Sequence, residues 1–338
     1  MHRLPTLCLA ACCLLYGSVN HAAVTGFRDW TLSCDNILHC EASGFQPEEQ
    51  TAPGHAAGLW LARDGGPGSG LTGRLYLDVP EGASLPGQGL TLKAGTWLRS
   101  GVAADQFFTA EQMAQMLPHL LDAQVIELSA GRLHWQISLR GLKAALLKMD
   151  AMQSRLDTPG ALVRKGSKAE NSVPRPPLAP LVKASPLPAS RPDDPKLIMP
   201  ILRATARTDC SVPLNDPALL AATIHRLSAS RVLLLAACDA GAYQSTFQAW
   251  LANDRPPYRP EPVRLPDVDG SAGQLTDPAW QTGLLRSYAK GRGIGDCGSL
   301  RVWAWTGQQF ALQHASDADP CSGIGGGIPL RIWTSRQQ

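Results

Sequence analysis

The stretch VPRPPLAPLVKASPLPASRPDDPKLIMP, residues 173–200, divides this chain of 338 residues in two. It holds nine prolines, from Pro174 to Pro200. Proline fixes φ and removes a backbone donor, so this density disfavours helix and ladder pairing and predicts an extended, solvated spacer. Lys and Arg outnumber Asp and Glu seven to three between Arg164 and Lys196. A basic strip of this kind could touch peptidoglycan phosphates or lipid headgroups, but a soluble spacer is the simpler reading. The fold class expected is α+β in two small domains. An N-terminal α+β domain spans 24–165, a Pro-rich linker 166–198, and a mainly antiparallel β domain 199–338.

North of the spacer, Arg28-Asp29-Trp30-Thr31-Leu32-Ser33-Cys34 alternates in polarity, Asp35-Asn36 marks a turn, and Leu38–Ala42 can return as the partner strand. Gly58–Ala62 and Arg74–Val79 are further strand candidates. The intervening Gly65–Gly70 run lacks the Gly-Lys-Ser/Thr ending of a phosphate loop, which leaves a hairpin loop. Thr109 with Gln112 forms a capping box ahead of Met113, Met116, Leu117, Leu120 and Leu121 at helical spacing. Pro118 within that run predicts a kink or break. Leu133, Trp135, Ile137 and Leu139 alternate with polar residues as a half-buried strand. Leu142, Ala145, Leu146 and Met149 mark a second helix. The methionines of this region sit at core spacing rather than as a copper site.

South of the spacer, strands are expected at Ala222–Ser228, Arg231–Cys238, Gly283–Ala289, Leu300–Trp305, Gln309–His314 and Pro329–Trp333. The register around Thr306-Gly307 is ambiguous. A two-residue turn pairs Trp303 with Phe310, whereas a three-residue turn pairs Ala304 with Phe310 and reverses the faces.

Residues 1–23 combine a basic start, an apolar run from Leu4 to Val19 and a small-residue exit, the pattern of an export signal. Leu9-Ala10-Ala11-Cys12 also resembles a lipobox, so acylation at Cys12 is the minor alternative. The run is shorter than the ~20 residues that span a bilayer, and no later segment is apolar enough. Six cysteines follow this leader: Cys34, Cys40, Cys210, Cys238, Cys297 and Cys321. An even set behind an export signal implies disulfides and a periplasmic or secreted location. The short hairpin sets Cys34 opposite Cys40. Cys297 and Cys321 flank one hairpin, and Cys210 is left for Cys238. Cys34, His39 and Cys40 are too few for a convincing metal site in an oxidising compartment; no metal or cofactor is expected.

Net charge is +3, giving no whole-chain case for nucleic acid or an anionic membrane. H-E-x-x-H and G-x-S-x-G are both absent from the sequence. Gly293-Ile294-Gly295-Asp296-Cys297-Gly298 matches G-x-G-x-x-G formally, but a strand follows where dinucleotide binding needs a helix. Lys290, Arg292 and Asp296 interleave with these glycines and, with Tyr243, form the candidate binding site. The plainer reading pairs Arg292 with Asp296 to lock the loop beside Cys297.

Phe27–Asn36 with Cys40, Cys238–Tyr243, Lys290–Gly298 and Trp303–Phe310 together resemble, in order, the domain of unknown function 1176 family. The Trp30/Cys34 opening is also similar to the invasion-associated locus B proteins. The first resemblance spans nearly the whole mature chain. It implies a secreted or periplasmic bacterial protein of unknown activity and carries no catalytic residues. The function expected is a non-catalytic envelope protein that binds a protein or cell-wall partner. The alternative is a hydrolase-like envelope enzyme using Asp296 or Asp239 with Arg292 in the Lys290–Asp296 loop.

Overall fold

The computed structural model describes residues 24–46, 55–85, 87, 89–205, 210–216 and 221–338. Residues 1–23, read from sequence as an export signal with a lipobox-like Cys12, lie outside them. The fold is mostly β, with three α-helices among the described residues. No described helix is long and apolar enough to cross a membrane.

In the N-terminal half, a six-stranded antiparallel sheet runs in the order Thr25–Phe27, Trp30–Cys34, Cys40–Phe45, Ala57–Arg63, Thr72–Leu77 and Phe107–Phe108. A four-stranded sheet (Leu133–Ser138, Val125–Ala130, Leu90–Ala94, Trp97–Val102) packs with it over one core that holds Trp30, Leu61, Phe108 and Trp135. Helix α1 (Ala110–Asp122) starts at the expected box: the Gln112 N–H donates to Thr109 Oγ1, and the Thr109 N–H to Gln112 Oε1 at 3.0 Å. Pro118 does not end the helix. It stands on the exposed face, where one lost bond is tolerated, while Met113, Met116, Leu117 and Leu120 face inward. Helix α2 (Leu142–Met152) closes the other side of the core.

The C-terminal half has two antiparallel sheets. One orders Thr223–Arg226, Arg231–Ala240, Ser245–Asn253 and Glu261–Pro262, with Leu275–Thr276 also paired to Ser245–Asn253. The other orders Ala279–Gln281, Leu284–Lys290, Gly298–Trp305, Phe310–Ala318 and Leu330–Thr334. Leu233 and Leu235 of the first meet Trp303 and Trp305 of the second in one core. Strand Arg231–Ala240 is apolar on both faces. Its outer residues Val232, Leu234 and Ala236 are covered by Ile201 and Leu202 of helix α3 (Ile198–Ala204).

Two details correct the sequence reading. The hairpin turn has four residues, so Trp305 pairs with Phe310 and Trp303 with Leu312. The Thr306 hydroxyl donates to Gln309 O at 2.7 Å and brackets the loop, which puts both tryptophans and Phe310 on the buried face. The proline segment is extended but not a bare solvated spacer. Pro176 lies on Gly65 and Gly66, Val173 and Val182 are buried, and Leu181–Val182 pairs in parallel with Arg336–Gln337. The Ser185 N–H donates to Trp305 O at 2.8 Å, and Arg191 reaches Asp254 and the carbonyl of Ala229. Prolines here lie between the donors in use, and Pro200 falls in the first turn of α3, where no N–H is needed.

The halves also meet directly. Asn36, read from sequence as a turn residue, gives its side-chain amide to Thr334: Nδ2–H to Thr334 O at 3.0 Å, and Thr334 N–H to Oδ1 at 2.8 Å. Asp35 Oδ2 accepts from Arg331 Nε, and Glu41 Oε2 from the Arg331 N–H, both at 2.6 Å. Phe45 and Ala56 pack on Ile324 and Ile328 alongside.

Candidate functional site

The loop between strands Leu284–Lys290 and Gly298–Trp305 is held from three sides. The Gln244 side chain clamps the backbone of Lys290, accepting its N–H at 2.8 Å and donating to its carbonyl at 3.3 Å. The Cys297–Cys321 disulfide ties the loop to the segment after Ala318. Asp296, fully buried, is the third anchor. Its Oδ1 accepts from Arg292 Nε at 2.7 Å; its Oδ2 accepts from Arg292 Nη2 and from the Gly323 N–H, both at 2.6 Å.

At Gly291 and Gly295, contact or conformation requires glycine. A Cβ at Gly291 would stand 2.6 Å from Cys297 Sγ. Gly295 adopts φ +71° to close the turn in which its N–H donates to Arg292 O at 2.9 Å. The Tyr288 hydroxyl donates to Gly295 O at 3.2 Å from below.

The four sequence-derived site residues therefore come together, but not in equivalent roles. Arg292 spends its planar fork on Asp296, and its guanidinium holds that carboxyl below the usual carboxylate range, with the Gly323 N–H assisting against burial. Asp296 faces inward with both oxygens occupied, so it is not placed to take a proton from a bound molecule. Its carboxylate lies within 4.8 Å of the Cys297 and Cys321 sulfurs. Those sulfurs are bonded to each other, so this group offers no thiolate to a cation. Tyr243 is 46 % exposed with its ring beside Gly293, and Ile294 at the loop tip is 68 % exposed. Lys290 runs its aliphatic stem past Gly295.

Asp239 serves a different place. It accepts from Thr246 Oγ1 and the Ser211 N–H, both at 3.1 Å, and lines a cleft of about 580 Å³ with Trp250, Gln274 and Leu275. Arg292, Asp296 and Tyr243 do not line that cleft.

The other cysteines among the described residues are joined as Cys34–Cys40 and Cys210–Cys238. Sequence reading missed Gln244 and Gly323. Gln244 stands directly after Tyr243, but nothing local shows that it clamps a backbone 46 residues away. Asp296→Ala should lower stability by about 1–2 kcal/mol, read by urea unfolding, since the Gly323 N–H loses its acceptor while half-exposed Arg292 regains water. An unchanged midpoint would show that the anchor contributes nothing.

The chain matches the family described as "Protein of unknown function (DUF1176)" over residues 24–336. It is 28 % identical over 323 residues to "Uncharacterized protein YpfG" of Escherichia coli (strain K12), covering 88 % of this chain and 89 % of that protein. No solved structure matches. The shared motifs and the length of the match make this chain a member of the DUF1176 family of proteins of unknown function.

Proposed function

We propose that this protein is an exported, disulfide-stabilised binding protein of the bacterial envelope, periplasmic or secreted, without catalytic activity. On this reading the two halves fold about their own cores, and the proline segment straps them together. The contact surface is the Lys290–Asp296 loop with Tyr243. The observation that carries it is the anchoring of Asp296. A buried, saturated carboxylate makes the loop a fixed platform, and what that platform displays is an aromatic ring, the Ile294 side chain and two cationic residues. Rigid aromatic side chains such as Tyr are among the anchors that dominate protein interfaces, and the cations beside Tyr243 add charge to the surface. The leader pattern and the three disulfides support the compartment.

The test uses the double variant Tyr243→Ala/Ile294→Asp beside Arg292→Lys. Binding is measured by co-sedimentation with purified peptidoglycan and by capture from envelope extract. The double variant should lose at least tenfold in partner binding while melting with the wild type. Arg292→Lys keeps the charge but loses the fork, so it should lower stability by about 1 kcal/mol and leave binding largely intact. Wild-type binding by the double variant would overturn the surface assigned here.

A further inference from the structure

A second site lies in the N-terminal half and shares no residue with the glycine loop. Alongside α1 runs a cleft of about 390 Å³, within the ~300–1,000 Å³ typical of small-ligand sites. Leu71, Met113, Leu117 and Leu121 form its floor and one wall; Ala161 and Leu162 form the other. Lys165 stands at the rim and is the one charged side chain lining it among the described residues. The acids nearest in sequence are already engaged. Asp157 pairs with Arg164 at 2.8 Å, and Glu170 with Arg155 at 3.0 Å and with the N–H groups of Gly68 and Gly160. Lys165 is left exposed, with no ion pair to a described residue.

Small residues keep the cleft open. A Cβ on Gly70 would come within 2.6 Å of Ala110 Cβ. Position 114, on the exposed side of α1, carries only a methyl group. Pro118 adds an apolar ring one turn further on and leaves the Ala114 carbonyl without its helical donor. The site is thus an apolar trough with a single cation at its mouth.

We propose that this cleft binds a single-chain anionic amphiphile of the fatty-acid type, with its carboxylate on Lys165 and its acyl chain along α1. Charge complementarity selects the ligand class. An uncharged chain would leave Lys165 without a counter-ion, and a cationic one would be repelled. The apolar lining excludes a polar body, and the open rim admits one flexible chain. Each methylene that becomes buried should tighten binding about three- to four-fold until the trough is full.

The test is calorimetric titration of the purified protein with decanoate, dodecanoate and tetradecanoate below their micelle concentrations, with tetradecanol and a tetradecyl ammonium salt as controls. Saturable one-site binding should strengthen from decanoate to tetradecanoate, and both controls should bind at least tenfold more weakly. Lys165→Glu should weaken tetradecanoate at least tenfold and reduce its advantage over the alcohol. Ala114→Phe, at an exposed position, should fill the trough and abolish binding while the melting temperature stays put. No saturable carboxylate binding, an affinity indifferent to Lys165→Glu, or full binding by a folded Ala114→Phe variant would each overturn the proposal.

Discussion

Asp150→Ala should destabilise the protein by about 3–5 kcal/mol, the cost of removing one partner from a buried ion pair. Asp150 is fully buried and Arg63 is 1 % exposed. Arg63 Nη2 meets Asp150 Oδ1 at 2.7 Å, Nε donates to Gln153 Oε1 at 2.6 Å, and Nη1 reaches the carbonyl of Gly160. Asp150 also accepts the N–H groups of Leu162 at 2.9 Å and Val163 at 3.1 Å. Burial pushes the Arg63 guanidinium down to about 10, against the pull of Asp150, so it is still charged at neutral pH. Without Asp150 a buried cation has no counter-charge, and two backbone donors lose their acceptor. The double replacement Arg63→Met/Asp150→Leu should recover only part of the loss: it removes the uncompensated buried cation but still leaves the Leu162 and Val163 N–H groups without their acceptor. Urea unfolding of wild type, single and double variants measures both steps. A single-variant loss below 1 kcal/mol would show that water reaches this pair. The pair also fixes Leu162, so amphiphile binding should fall with the single variant.

The legible parts of this fold are those whose burial is decided locally. Thr109 with Gln112 and the helical spacing of Met113 to Leu120 gave α1 correctly because cap and apolar face lie within twelve residues. Leu133–Ser138 alternates as its sequence does, with Trp135 and Ile137 inward. Trp30–Cys34 also alternates in sequence, yet every residue of it is buried. Its polar face is covered too: Thr31 bonds Ser43 at 3.0 Å, and the Ser33 hydroxyl donates to Arg331 O, 298 positions away. A partner at that distance leaves no periodic trace. The same limit hid the contacts of the proline segment, since which carbonyls and donors lie opposite it depends on strands at 305 and 336. At the glycine loop, residue spacing marked Arg292 and Asp296 as a pair. That Asp296 turns inward follows from Gly323 and the Cys297–Cys321 bond, again supplied from another segment.

Stability should fall as the pH drops from 6.5 towards 4, and His225 should be the main cause. Its imidazole is half-buried, stacks on Trp280 with ring centroids 5.5 Å apart, and contacts Thr223 Oγ1 at 3.0 Å. Burial pushes its pKa down to about 4. Between that value and the unfolded 6.5, the unfolded chain binds a proton that the native ring refuses, so acid favours unfolding. The full gap corresponds to at most about 3 kcal/mol, lost by pH 4. His314 is also lowered, by burial and then by Arg331, and adds in the same direction. His39 acts oppositely. Its ring lies between Asp64 at 2.5 Å and Glu41 at 3.0 Å, and those bonds raise its pKa against burial. Its contribution is complete below 6.5 and is lost as pH rises through the raised value. Asp194 and Asp296, held low mainly by Arg226 and Arg292, hold their contributions until pH falls below the ordinary carboxylate range. Urea unfolding at half-unit steps from pH 7.5 to 4.5 should therefore show an acid limb beginning near 6.5. His225→Phe keeps a ring on Trp280 but removes the proton site, and should flatten that limb by at least half. An unaltered slope in the variant would assign the proton uptake to another group.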